Sequence, residues 1–241
     1  MTEWLTRALG EMTLPEEAEG WVLGRGVPSA MVEDMGIVVW DSHHVDPAPD
    51  PVFTKSFGAH GELFHGRLAT PIWSARGRIL GMEIRTWGLG VEKRLVQFLL
   101  PEAQWHPVLI GLTPASMARL WAGGDVWVGE GLYDMGALAH AILERDVAFS
   151  TLRAKVSPNH VLFFKRFARG WVHMAYDNDE TGRKQTHGWV DPVTQKRRWG
   201  AIESLTRVGV KVRDVPYRGG KDPGEIWERR GLDGVRQALN L

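Results

Sequence analysis

Between residues 125 and 217 the chain alternates short apolar runs with helix-like stretches: "DVWVGEG", "LYDMGALAHAILERD", "GWVHMAYD", "WGAIESLTRVG" and "VKVRDVPY". Strands separated by helix-length connections cannot close as hairpins, so they join by crossovers into a mainly parallel sheet flanked by helices. Ligands of such sheets gather outside the C-terminal strand ends. The acidic clusters fall there: Glu130 after "VWVG", Asp177 and Asp179 after "VHMAY", and Asp222 in "RGGKDPGE" after "VKVRDVPY". Asp134 follows Glu130 by four residues, one helical turn away and toward the same edge.

The first half has a different rhythm. Residues 1–20 read as one short amphipathic helix ending in a Pro-Glu-Glu turn, and "RGVPSAMVEDMGI" predicts a helix that starts after Pro28, with Ser29 near its cap, and stops at Gly36. "HVDPAPDPVF" is loop composition. In "GRLATPIWSARGRILGMEIRTW" two apolar runs flank Ala-Arg-Gly, which predicts a hairpin with Gly77 at positive φ. The expected fold class is therefore mixed α/β: an α+β unit over 1–113, a Rossmann-like, mainly parallel sheet with flanking helices over 114–225, and a short C-terminal helix over 226–241.

The 241 residues carry 29 basic and 29 acidic side chains, so any surface for a polyanion must be local. The sequence contains no cysteine, which excludes disulfides, thiolate zinc sites and cysteine nucleophiles; no zinc is expected. The N-terminal stretch lacks the apolar core of a signal peptide, and no run approaches the roughly 20 apolar residues of a membrane span. A soluble, cytoplasmic protein without a membrane partner is expected. Adjacent His43 and His44 suit no helical metal pair, and with His60 and His65 they read as scattered surface histidines.

One acidic cluster at a strand end is more often a helix cap than a site. Three in order on one edge point to magnesium, a hard cation that takes oxygen ligands and binds phosphate alongside. Here the chain resembles a known family. "VGEGLYDMGAL", "YDNDETGRK" and "GKDPGE" are similar to the three successive motifs of the Toprim domain, and "GRLATPIWSARGRILGMEIRTWG" and "RGVPSAMVEDMGI" resemble segments that precede Toprim in DnaG-type bacterial and phage primases. The similarity spans about residues 24–230.

The resemblance implies a DNA-dependent RNA primase, a nucleotidyltransferase that makes RNA primers on single-stranded DNA from NTPs with Mg²⁺ or Mn²⁺ during replication. Glu130, Asp134, Asp177, Asp179 and Asp222 would hold metal, with Glu130, Asp177 and Asp179 catalytic and Glu130 alternatively a general base. A replicative helicase or other replication protein is an implied partner, and a stripped phage or plasmid core is the implied origin. Two readings stand beside this one: a Toprim nuclease using the same carboxylates on phosphodiesters, and a non-catalytic DNA-binding accessory protein. The late motif reads Asp222-Pro-Gly224, where the family repeats the aspartate after proline, which leaves the site one carboxylate short.

Cations for nucleotide and template are expected at Arg67, Arg85 and Lys93, with Arg76 and Arg78 equally readable as a solvated hairpin face. Residues 181–218 hold nine Lys or Arg against three Asp or Glu, a local excess of six. That is a footprint suited to phosphate backbones. It includes Arg183, Lys184, Lys196, Arg197 and Arg198, with Trp199 beside them as a stacking surface, and Lys221 lies just beyond. Gly188 and Pro192 predict a hairpin or loop inserted after the Asp-x-Asp helix.

Overall fold

A computed structural model describes residues 1–51, 54–55, 58–89, 91, 95–152 and 155–241. The N-terminal segment forms two helices, α1 (Thr2–Gly10) and α2 (Glu16–Gly24), where a single helix is expected. Pro15 is the reason: it disfavours helical backbone at Leu14 and starts α2 as its N-cap, so the glutamates that follow form the first turn of α2 and not the end of α1. Helix α3 (Ser29–Met35) follows Pro28 and ends at Gly36 in the left-handed region, as the sequence predicts.

Four antiparallel strands come next, in spatial order β1 (Val38–Val39), β2 (Leu68–Trp73), β3 (Ile79–Arg85) and β4 (Leu95–Leu99). The hairpin between β2 and β3 pairs Leu68 with Arg85 and turns through Gly77 at φ 71°, as expected. Both strands are buried almost throughout because each face is covered. Trp4, Leu5, Trp40 and Phe64 pack with Met82 and Ile84 on one face, while Leu68, Ile72 and Leu80 turn to the rest of the molecule.

After helix α4 (Pro114–Trp121), the second sheet is wholly parallel, in spatial order β10 (Val212–Asp214), β7 (Val172–Met174), β5 (Val126–Gly129) and β6 (Val147–Ser150). Helix α5 (Leu132–Ala141) links β5 to β6, and α6 (Pro158–Phe167) links β6 to β7. The "LYDMGALAHAILERD" helix thus stops at Ala141, and the residues beyond lead into β6, a strand the sequence pattern conceals. Between β7 and β10 run α7 (Glu180–His187), a hairpin of β8 (Trp189–Val190) and β9 (Arg197–Arg198), and α8 (Ala201–Thr206). The inserted hairpin falls where Gly188 and Pro192 predict it.

The last helix, α9 (Pro223–Leu239), is broken at Gly231, φ 61° and ψ −160°. One continuous core contains Val22, Val32, Ile72, Leu138, Ile226 and Val235, so the N-terminal helices, the antiparallel sheet, α5 and α9 pack as one body. Gly136 permits α5 to approach the end of α2 closely: a Cβ there would lie 2.7 Å from the Gly26 carbonyl oxygen and 2.8 Å from Val27. Among the described residues no helix is long and apolar enough to cross a membrane.

Candidate active site

The parallel sheet changes winding direction between β5 and β7: the chain leaves β5 for β6 on one side and returns to β7 on the other. A crevice opens at the C-terminal strand ends of such a switch point. Glu130 follows β5 there and Asp177 follows β7, and Glu130 Oε1 accepts the Asp177 backbone N–H at 3.0 Å. Asp179 caps α7, accepting from the Gly182 N–H at 2.9 Å. Gly182 is required, because a Cβ would stand 2.0 Å from the Asp177 carbonyl oxygen. Asp222 caps α9, accepting from the Glu225 N–H at 2.6 Å.

Asp134, on the first turn of α5, reaches across to this second cap. Its Oδ2 accepts the Gly131 N–H at 2.9 Å and its Oδ1 the Gly224 N–H at 3.3 Å. Two loops are locked together behind the carboxylates: the Tyr217 hydroxyl lies 2.7 Å from the Tyr176 carbonyl oxygen and 2.9 Å from that of Lys221, which also accepts the Asn178 N–H at 2.7 Å. All five sequence-predicted carboxylates therefore meet on one edge.

They meet as two neighbouring groups. Lys221 Nζ bridges Asp177 at 2.6 Å and Asp179 at 3.5 Å, with Glu130 behind them, while Asp134 pairs with Asp222. Burial, then the charges of Asp177 and Asp179, push Glu130 up to about 7. Burial and then the Asp222 and Asp177 charges hold Asp134 well above the carboxylate range. Asp177 is also raised by burial, against the pull of Lys221, whereas the Gly182 N–H lowers Asp179. Such an excess of negative charge fits a divalent cation. Among the described residues the five do not bring three ligand atoms within 4.8 Å of one another.

Facing Asp134 and Asp222 is a cleft of about 380 Å³ whose walls include Arg25, Arg85, Tyr133, Lys221 and Glu228. The Tyr133 ring lies between two guanidinium groups, Arg25 at 4.5 Å and Arg85 at 4.4 Å. Glu83 holds Arg85 at 2.6 Å and Glu228 holds Arg25 at 2.5 Å, and the Arg25 Nε–H is buried without a hydrogen-bond partner. Arg25, Tyr133 and Tyr217 are functional candidates that sequence reasoning missed, although Arg25 opens the "RGVPSAMVEDMGI" segment, Tyr133 lies inside "VGEGLYD" and Tyr217 ends "VKVRDVPY".

The remaining basic candidates separate. Arg67 precedes β2 and is half-buried, Arg183 is exposed on α7, and Lys93 lies outside the described residues. Lys184 pairs with Glu180 at 2.6 Å, Arg197 with Glu203 at 2.8 Å and Arg198 with Asp191 at 3.3 Å, while Lys196 is exposed near the hairpin tip. The stacking role expected of Trp199 beside these arginines meets a competitor: Arg207 already covers its ring at 4.3 Å.

Gly224 sits in the first turn of α9 with its α-carbon turned toward the pair. A Cβ at this position would be 3.1 Å from Asp134 Oδ1 and 3.3 Å from Asp222 Oδ1, so the carboxylate the family carries here would join the Asp134–Asp222 group.

No protein-family model matches the chain, and no curated protein matches it in sequence. Solved structures do. A DNA primase domain from Pseudomonas aeruginosa is 21% identical at a TM-score of 0.65, over 99% of this chain and 78% of that one. The zinc-binding and RNA polymerase domains of the Aquifex aeolicus primase are 20% identical at 0.64, over 98% of this chain but only 59% of theirs. A DnaG primase catalytic domain solved bound to single-stranded DNA is 19% identical at 0.62, over 97% and 78%. The resemblance read from the motifs thus extends to nearly every element, and the chain has the fold of the DnaG-type primase catalytic core.

Proposed function

We propose that the chain is a primase-like nucleotidyltransferase that joins NTPs into RNA on a single-stranded DNA template. The observation that carries this reading is the opposition of two charge sets across one cleft: a surplus of carboxylates at the sheet edge, and two arginines clasping Tyr133 on the other wall. A nucleoside triphosphate needs both, cations for its phosphates and a carboxylate-held metal beside them.

Glu130, Asp134, Asp177, Asp179 and Asp222 would hold Mg²⁺ or Mn²⁺, which when bound neutralises the triphosphate and eases deprotonation of the attacking 3′-hydroxyl. Arg25 and Arg85 bind phosphate oxygens, their planar groups held in place by the Tyr133 ring and by Glu228 and Glu83. Glu130, whose carboxyl is pushed up by burial and by Asp177 while no metal is bound, is alternatively the general base toward the 3′-hydroxyl in place of its metal-holding role. Lys221 pairs with Asp177 and Asp179 and, being half exposed, would be available to the triphosphate were those carboxylates to hold the metal. Support for a template comes from the single-stranded DNA held by the solved DnaG catalytic domain.

The test is incubation of the protein with single-stranded DNA, labelled NTPs and Mg²⁺ or Mn²⁺, beside an Asp177→Asn/Asp179→Asn variant. Metal-dependent oligoribonucleotides that vanish in the variant are expected. Shortened template would identify a nuclease, and retained DNA without product a binding protein. Wild-type protein that binds NTP and metal yet makes no oligonucleotide on several templates ends the primase reading.

A further inference from the structure

Away from the carboxylate edge, a second set of ligand-type side chains meets where the chain leaves β1 and enters β2. Asp41, His43 and His44 lie on the turn after Trp40, and His65 follows the short 3-10 turn Glu62–Phe64. One ligand atom from each of Asp41, His43 and His65 lies within 4.8 Å of the other two. The rings of His43 and His65 touch edge to face, centroids 4.6 Å apart. Asp41 Oδ1 stands 3.5 Å from His65 Nδ1 and accepts the His43 N–H at 2.9 Å, while its Oδ2 is 2.6 Å from His44 Nδ1. The Ser42 N–H donates to His65 Nδ1 at 3.3 Å and the Ser42 Oγ lies 3.2 Å from the same nitrogen, so the His65 ring is oriented by Ser42 and a metal takes its other nitrogen or displaces these weak contacts.

The scaffold beneath is fixed independently of these side chains. The Gly66 N–H donates to the Trp40 carbonyl oxygen at 2.9 Å and the Trp40 N–H to that of Arg67 at 2.8 Å. Fully buried Trp40 packs edge-on against Phe64 at 6.0 Å. Positions 41 and 65 therefore flank a rigid pair, and the ligands converge without ordering a new loop.

We propose that Asp41, His43 and His65 form a binding site for a divalent transition metal of the zinc class, with His44 orienting the carboxylate. Two imidazoles and one carboxylate are the donor set of zinc sites that keep an open fourth position, and imidazole selects against Mg²⁺. Metal–ligand bonds of about 2.0–2.2 Å draw the three atoms closer than they now stand, and rotation of the exposed imidazoles supplies that movement. Occupancy fastens the turn at 41–44 to the entry of β2, next to Arg67. The histidines that sequence spacing reads as scattered are thus gathered by the fold.

The test is titration of the whole chain with Co²⁺, read by its visible d–d absorption, followed by Zn²⁺ competition, in wild type and in an Asp177→Asn/Asp179→Asn background that weakens the other site. One equivalent of Co²⁺ is expected in both, displaced by Zn²⁺ and untouched by millimolar Mg²⁺. His43→Ala and His65→Gln, both at exposed positions and checked for folding by circular dichroism, should each weaken binding at least about tenfold. Zn²⁺ should raise the Tm of wild type and not of the double histidine variant. Unchanged Co²⁺ affinity in the histidine variants, or absence of both the Co²⁺ spectrum and the Zn²⁺-dependent Tm shift in wild type, overturns the proposal.

Discussion

The carboxylate edge and the basic hairpin are both dense in charge, but they spend it differently. In the hairpin Arg197 and Arg198 are matched by Glu203 and Asp191 within a few residues, and Lys184 by Glu180. At the edge, among the described residues, Lys221 alone pairs with the carboxylates, touching Asp177 and Asp179, while burial and neighbouring charge hold Glu130 and Asp134 raised. A local excess of cations counted along the sequence measures supply, not availability. Negative charge that the fold leaves uncompensated at the sheet edge is what marks a place for a cation.

The contrast can be broken most sharply at its acidic end. Asp177→Asn/Asp179→Asn should lower primer synthesis on the order of a thousandfold, since a single preorganised electrostatic group is worth about 10²–10³ in rate. Circular dichroism and melting should show an intact fold, because Asn keeps an acceptor for the Gly182 N–H at the α7 cap and Asp177 loses only its Lys221 ion pair.

Next comes the cationic wall. Arg85→Ala strands fully buried Glu83 without its partner and should cost about 3–5 kcal/mol in denaturant unfolding. Glu83→Leu/Arg85→Met should recover most of that stability while the KM for NTP stays at least about tenfold raised, about 1.4 kcal/mol of lost binding. Recovery of both together would remove Arg85 from the nucleotide site.

Glu130 provides a pH readout. Its folded value near 7 exceeds that of the unfolded chain, so its protonated form stabilises the metal-free fold below pH 4.5, and this contribution fades as pH rises through 7. Glu130→Gln should flatten the stability profile between pH 4.5 and 7 and make the metal-free protein more stable at pH 8. The gain should be on the order of 1–2 kcal/mol, after discounting the full shift for solvent around a half-exposed group.

The smallest effect belongs to the hairpin. Arg197→Ala/Arg198→Ala should shift the slope of log affinity for single-stranded DNA against log salt by less than about one unit, although two cations are removed, because both are already paired. A drop near two units would mean that the ion pairs open to reach the backbone.

Legibility followed the range of the interactions. The β2–β3 hairpin, α3 and the strand-end carboxylates could be read because a turn glycine, a proline start and a period-two apolar run act over a few residues. The gap between α1 and α2 was hidden by reading Pro15 as a stop when it is a start. Arg25 opens a segment quoted from the sequence, but its place in the cleft depends on Glu228 and on the Tyr133 ring, contacts that only the completed fold creates. Pairing of Arg197 and Arg198 also escaped the sequence, since charge counting registers sign and not distance.

The break at Gly231 gives α9 the mechanics of two rods and not one. The first rod begins with the Asp222 cap and carries Glu225 and Glu228, while the second is moored in the core through Val235, Ala238 and Leu239. A backbone in the left-handed region interrupts the helical ladder, so displacement of the first rod is not levered into the second. The carboxylate edge and the last turns of α9 are therefore joined through one non-helical residue, although Ile226 seats the first rod in the same core.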